Sequence, residues 1–254
     1  GMLSDKQPFI TERPFRSPHH TISPSALAGG GRIPKPGEIS LAHKGVLFLD
    51  ELAEFRRETM EILRQPIEEG MVHISRVHRR DSFPAECMIV AATNFCKCGN
   101  FPDRSKCICT PSELRRYQSR ISRPLLDRMD ISVEAQRIEY KDLIAPKENE
   151  DSASIRQRVE HTWQFQKRRY HGTGYTWNAQ LDAAGIAKYC ILGQKEQRLL
   201  EEAYTKLELT ARACHRTLKV ARTIADMQQR EQITEEDLYE AISYRIFEQQ
   251  QTWG

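Results

Sequence analysis

Residues Val46-Leu47-Phe48-Leu49 form an apolar run that ends abruptly in two carboxylates, Asp50 and Glu51. Consecutive large apolar residues mark a strand covered on both faces, as in parallel sheets. In open α/β sheets, ligands bind just beyond the carboxyl ends of such strands. Two adjacent acids at that point suit hydrolysis of a nucleoside triphosphate. Asp50 would hold Mg²⁺, generally through water, and Glu51 would polarise a water for attack on a γ-phosphate. The same string also describes a core strand running into a helix with an acidic first turn.

Three further segments follow in order. The apolar run Met88-Ile89-Val90-Ala91-Ala92 leads to Thr93-Asn94. An amide at a strand tip can orient the attacking water, or simply open a turn. Arg120-Ile121-Ser122-Arg123-Pro124 continues into Leu125-Leu126-Asp127-Arg128-Met129-Asp130, and Thr210-Ala211-Arg212-Ala213 opens an amphipathic pattern. Together the four segments resemble the Walker B, sensor 1, arginine-finger and sensor 2 elements of AAA+ ATPases. Two more stretches narrow the resemblance. Arg13-Pro14-Phe15-Arg16-Ser17-Pro18-His19-His20-Thr21 and Pro36-Gly37-Glu38-Ile39-Ser40-Leu41-Ala42-His43-Lys44-Gly45 are similar to signatures of the magnesium chelatase-like, ComM/YifB group. So are Ser119-Arg120-Ile121-Ser122 and Ala221-Arg222-Thr223-Ile224-Ala225-Asp226, so the likeness spans nearly the whole chain.

The resemblance implies an α/β fold: a partial AAA+ P-loop-type parallel-sheet core over residues 1–147, then an all-α lid over 148–254. It implies ATP and Mg²⁺ as ligands, with Asp50 near the metal, Glu51 preparing water and Asn94 placing it. Arg128 would reach into a neighbouring subunit's ATP, and Arg212 would couple the lid to nucleotide. A hexameric motor on DNA follows, of the kind linked to branch migration in natural transformation. A chelatase-type ATPase that inserts a metal or remodels a protein is the second reading. A non-catalytic, metal-stabilised binding module is the third.

A phosphate-binding Gly-x-x-x-x-Gly-Lys-Ser/Thr loop does not occur in these 254 residues. Gly29-Gly30-Gly31 is followed by Arg32-Ile33-Pro34 and reads as a flexible loop, an insert within helix 2 of the relatives. In the related group the P-loop and a Lon-protease-like domain lie upstream. The chain is therefore expected to be the carboxyl-terminal half of such a protein, inactive by itself.

No apolar stretch approaches the roughly 18–20 residues that span a bilayer, and no secretory leader pattern is present, so a cytoplasmic protein with no membrane partner is expected. A net charge of +3 is too small to argue for nucleic acid, so any basic surface has to be local. One candidate lies between Met71 and Phe83, where Val72, Ile74 and Val77 alternate with polar residues. This is the place of the presensor 1 hairpin in helicase-related AAA+ proteins. Its tip, Arg76-Val77-His78-Arg79-Arg80, could grip phosphates without reading sequence, or be a solvated turn. Prolines 8, 14, 18 and 24 make the first 25 or so residues extended, and Arg56 to Glu69 reads as one helix stopped by Gly70. Beyond Glu148-Asn149-Glu150-Asp151, helical patterns run over 152–170, 179–190, 194–207, 210–229 and 234–247, the last capped by Thr234 and Asp237.

Cys96-Lys97-Cys98 and Cys107-Ile108-Cys109 bracket a polar loop straight after Asn94. Four thiolates at such spacing could hold Zn²⁺, though Cys-x-Cys is a tighter bite than the usual Cys-x-x-Cys. Reduced thiols and a disulfide remain open at this point. Phe95 stands where the related group leads one to expect proline. Cys87, Cys190 and Cys214 sit in apolar or helical settings and read as core residues, while His19 and His20 find no third metal ligand in the sequence.

Overall fold

A computed structural model describes residues 12–31, 33–76, 79–135, 140, 144 and 150–245. The described residues up to Arg128 form one compact unit and those from Met129 a second. The first is α/β and the second is helical, the order of elements the sequence leads one to expect.

The strands of the first unit are β1 (Phe15–Arg16), β2 (Gly29–Gly30), β3 (Lys35–Pro36), β4 (Val46–Leu49), β5 (Met71–Arg76), β6 (Arg79–Pro84) and β7 (Met88–Ala91). β1, β4 and β7 make a parallel sheet with β4 in the middle, in register Phe15↔Val46 and Val46↔Met88. Side chains alternate across a strand, so Leu47 and Leu49 share one face and are fully buried. Burial of each contributes about 2 kcal/mol. Helices α1 (Pro24–Ala28), α2 (Glu38–Leu41), α3 (Arg57–Ile62) and α4 (Arg64–Glu69) add Leu27, Ile39, Met60 and Pro66 to the core, with Leu63 buried between the last two. The sheet enters through Gly45, where a Cβ would lie 1.9 Å from the Pro14 carbonyl oxygen. That carbonyl accepts the Val46 N–H at 2.8 Å. The opposite face departs from expectation. It carries Phe15, Val46, Phe48, Met88 and Val90, and Phe15 and Met88 are 63% and 65% exposed. An unbroken apolar run predicts cover on both faces, whereas the described residues cover one.

Two other readings change. The Gly29–Gly31 stretch is an ordered turn rather than a flexible loop: β2 pairs with β3, and all three glycines have positive φ. The single helix expected over Arg56 to Glu69 is two, meeting at Leu63. Pro66 has no N–H for the Ile62 carbonyl, and Leu63 bonds three residues back to Met60. Gly70 does terminate α4, in the left-handed region at φ 63. β5 and β6 form the expected antiparallel hairpin, with Ser75 opposite Arg80 and Arg76 opposite Arg79. Val77 and His78 lie outside the described residues. Helices α5 (Pro111–Gln118) and α6 (Arg123–Leu126) complete the unit.

In the second unit the helices are α7 (Ser152–Arg169), α8 (Ala183–Tyr189), α9 (Gln194–Lys206), α10 (Ala211–Met227) and α11 (Glu235–Ser243). α8 begins later than its apolar pattern because Asp182 caps it, accepting the Gly185 N–H at 2.7 Å. Thr234 and Asp237 form the predicted reciprocal cap of α11. Leu218, Ala221 and Ala225 of α10 pack with Tyr170, Ile186, Ile233 and Leu238.

That apolar core encloses a charged one. Asp226, fully buried, takes Arg222 Nε at 3.0 Å, Arg169 Nη1 at 2.6 Å and Asn178 Nδ2 at 2.8 Å. Arg222 also donates to the Glu231 carbonyl at 2.6 Å, and Tyr170 to Asn178 Oδ1 at 2.6 Å. Burial pushes the Tyr170 hydroxyl up to about 12, so it stays a donor. Removing one member of such a network strands the opposite charge. Asp226→Ala is therefore expected to destabilise the helical unit by about 3–5 kcal/mol, measured by urea denaturation of the chain, while the exposed control Glu202→Ala stays within about 0.5 kcal/mol.

Candidate nucleotide site

Asp50 and Glu51 leave the tip of β4, and Asn94 stands three residues beyond the end of β7; all three are exposed. The two strand tips are stitched together past the ladder. Ala92 N–H donates to the Leu49 carbonyl at 3.0 Å, and Leu52 N–H to the Ala92 carbonyl at 2.8 Å. Glu51 takes a left-handed backbone conformation, φ 52 and ψ 46, before a 3₁₀ turn over Leu52–Glu54. For a side chain other than glycine this costs roughly 1–2 kcal/mol. The sharp turn is what lets two successive residues both present carboxylates at one strand end. Asp50 is thereby an exposed hard oxygen donor, the ligand type that Mg²⁺ takes.

A histidine joins them. His20 Nδ1 lies 3.0 Å from Glu51 Oε2, its ring 4.1 Å from that of His19 and edge-on to Phe55 at 6.4 Å. Sequence reasoning left both histidines without a role. The only signal was their place in the Arg13 to Thr21 signature, because no spacing rule links position 20 to position 51.

The segment expected to carry the arginine finger is tied to the same turn. Arg120 Nη1 reaches Glu54 Oε2 at 2.7 Å and the Ala53 carbonyl at 3.2 Å. Ser122 donates to Glu61 at 2.7 Å, which with Arg64 holds the Glu61 carboxyl below its usual range. Arg128 is turned inward: it is buried, pairs with Glu68 at 2.9 Å and donates to the Pro124 carbonyl at 2.6 Å. Arg123, on α6, is exposed. Arg212 stands exposed in the first turn of α10, in the second unit. Arg80 is exposed on β6, opposite Ser75.

The four cysteines after Asn94 converge. The sulfurs of Cys96, Cys98, Cys107 and Cys109 all lie within 4.8 Å of one another. Cys96 is 3.3 Å from Cys98 and 3.9 Å from Cys107, and Cys98 is 3.7 Å from Cys107. Tetrahedral zinc with sulfur bonds near 2.3 Å sets its ligands about 3.8 Å apart. Backbone N–H groups point in: Phe101 donates to Cys96 at 3.4 Å, and the Asn100 N–H, ahead of the Cys96 thiol, brings the Cys98 thiol down to about 6, while desolvation and the neighbouring thiols push those of Cys107 and Cys109 up. The donor set fits a thiolate-bound Zn²⁺. Cys87, Cys190 and Cys214 stand apart from it, and burial raises each thiol above its ordinary range.

Residues 1–143 match the magnesium chelatase subunit ChlI family, and residues 149–245 match its C-terminal region. The chain belongs to the magnesium chelatase family. It is thus a partial AAA+ α/β core followed by a helical domain. Over 239 residues it is 44% identical to "Uncharacterized protein YifB" of Salmonella typhimurium, covering 93% of this chain and 46% of that protein. Likeness to "Competence protein ComM" of Haemophilus influenzae is also 44%, over 92% of this chain and 45% of the relative. An "Uncharacterized MCM-type protein" of Methanocaldococcus jannaschii is 27% identical over 82% of the chain. The chain spans about half the length of its 44%-identical relatives. No helix among the described residues is long and apolar enough to cross a membrane.

Proposed function

We infer that this chain is the segment of an ATP-hydrolysing, hexameric motor that carries the water-activating half of the site, and that the motor acts on DNA in the manner of ComM. The reading rests on the paired acids at the tip of β4 standing beside the Asn94 strand, in a chain that belongs to an ATPase-type fold family. Asp50 holds Mg²⁺ through water, and the ion when bound offsets phosphate charge. Glu51 accepts a hydrogen bond from the attacking water, Asn94 orients that water, and Arg212 is the coupling arginine of the helical domain. For the arginine supplied to a neighbour, the family resemblance points to Arg128. Its Glu68 pair would have to open first, whereas Arg123 in the same segment is already exposed. These 254 residues contain no phosphate-binding loop, so the isolated chain is expected to turn over no ATP and the activity belongs to a longer protein.

DNA is supported by the likeness to a competence protein and by a hairpin ending in Arg76, Arg79 and Arg80. A chelatase-type remodelling ATPase is the second reading, favoured by the family that the chain matches. The cysteine cluster is read as a structural zinc site. Cys96, Cys98, Cys107 and Cys109 would hold the ion, and the ion would staple the loop between Asn94 and α5.

Three outcomes are expected. In a full-length protein carrying this segment, Glu51→Gln keeps ATP binding but lowers turnover by about a hundredfold or more, because the charge that polarises water is lost; near-normal hydrolysis would remove Glu51 from the mechanism. Replacing Arg76, Arg79 and Arg80 together with Ala reduces the dependence of DNA affinity on salt by up to about three phosphate contacts, with basal ATPase intact; an unchanged slope would favour the chelatase-type reading. Elemental analysis of the chain gives about one zinc per molecule, lost in Cys107→Ser, whereas metal-free protein with four rapidly reacting thiols would rule the site out.

A further inference from the structure

The contact between His20 and Glu51 joins two residues of unlike freedom. Glu51 is 57% exposed along its side chain and sits on a strained backbone. Left in water, its carboxylate would sample several rotamers. The His20 ring is only 28% exposed. It lies against His19 and the buried Phe55, and His19 is itself fixed by a 2.9 Å contact between its Nδ1 and Thr21 Oγ1. The loop is closed by the Ile22 N–H bonding back to the His19 carbonyl at 3.0 Å. The imidazole is thus the anchored partner and the carboxylate the one that is held.

We propose that His20 is a positioning residue that aims Glu51 for hydrolysis. The inference rests on the reading of Glu51 as the water-polarising group and adds to it the residue that sets its direction. An ionised carboxylate can only accept, so the 3.0 Å contact requires the proton on His20 Nδ1. Oε2 is occupied by that bond, which fixes the carboxylate plane and leaves Oε1 to accept a hydrogen bond from water. Displacement of a reacting group by about 1 Å costs on the order of a hundredfold in rate. A flexible, exposed Glu51 without its anchor falls in that range.

The test uses a full-length protein that contains this segment together with a phosphate-binding loop. His20→Ala and His20→Leu are each expected to lower kcat by about 30–100-fold, with the KM for ATP within about twofold, since neither removes a phosphate contact. His20→Asn places an amide donor near the position of Nδ1 and is expected to recover kcat to within about fivefold of the parent. A purely packing role against Phe55 would be spared by His20→Leu and would not be rescued by the smaller, polar Asn. Unchanged or increased kcat in His20→Ala and His20→Leu would overturn the proposal. A second measurement needs no turnover and keeps the question open to decision if these variants do not fold. In the 254-residue chain labelled with ¹⁵N-histidine, His20 is expected as the Nδ1–H tautomer at pH 8, reverting to Nε2–H in Glu51→Ala. Nε2–H in both proteins would show that the contact does not form, and would also overturn the proposal. If Glu51→Gln retains hydrolysis while the tautomer shift is seen, the contact stands and it is the catalytic reading of Glu51 that fails.

Discussion

Parallel pairing of β4 between β1 and β7 is the constraint on which the first unit depends. A central strand can bond on both edges: β7 pairs with Val46 to Leu49 and β1 with Val46 and Leu47, so the end of β4 is fixed relative to β7. The two bonds beyond the ladder, between Ala92 and the Leu49–Leu52 turn, extend that rigidity to Asp50 and Glu51. Chemistry placed on exposed side chains needs such a base, since their own packing cannot hold them. The strained conformation of Glu51 is tolerable because the turn around it is bonded on both sides.

The second unit is organised by the opposite kind of constraint. Its centre is a buried carboxylate, Asp226, with two arginines and an amide around it. An apolar core alone accepts many packings of similar energy; a buried charge accepts only those in which every donor is in place. Ala221-Arg222-Thr223-Ile224-Ala225-Asp226 places both members of one pair a helical turn apart on α10, and Arg169 comes from α7 to complete it.

Much of the fold was legible in the chain because it is encoded locally. The β4 run, the Asn94 strand, the hairpin from Met71 and the caps at Thr234 and Asp237 all depend on residues within a few positions of one another. Misreadings have local causes too. Pro66 divides α3 from α4, Asp182 delays α8, and the three glycines adopt an ordered reversal through positive φ. The sheet face that the described residues leave open is different in kind. A string of apolar residues reports that both faces are fit for burial, but says nothing of which elements lie over them.

Sequence by itself determined the family, the order of α/β and helical parts, and the residues from which a nucleotide site could be built. It placed four cysteines in two pairs, but left the choice among zinc, free thiols and a disulfide open. Only the tertiary structure brought those sulfurs within 4.8 Å of each other, turned Arg128 onto Glu68, tied Arg120 to Glu54 and set His20 against Glu51. Each of these contacts joins residues from separate elements or the two ends of a loop. Side chains so far apart in the chain meet at an angle and distance fixed by strand register, turn conformation and packing together. Hydrophobic period and capping chemistry act over a few residues, so they specify the elements; the directions in which those elements aim their polar groups are settled when the core closes.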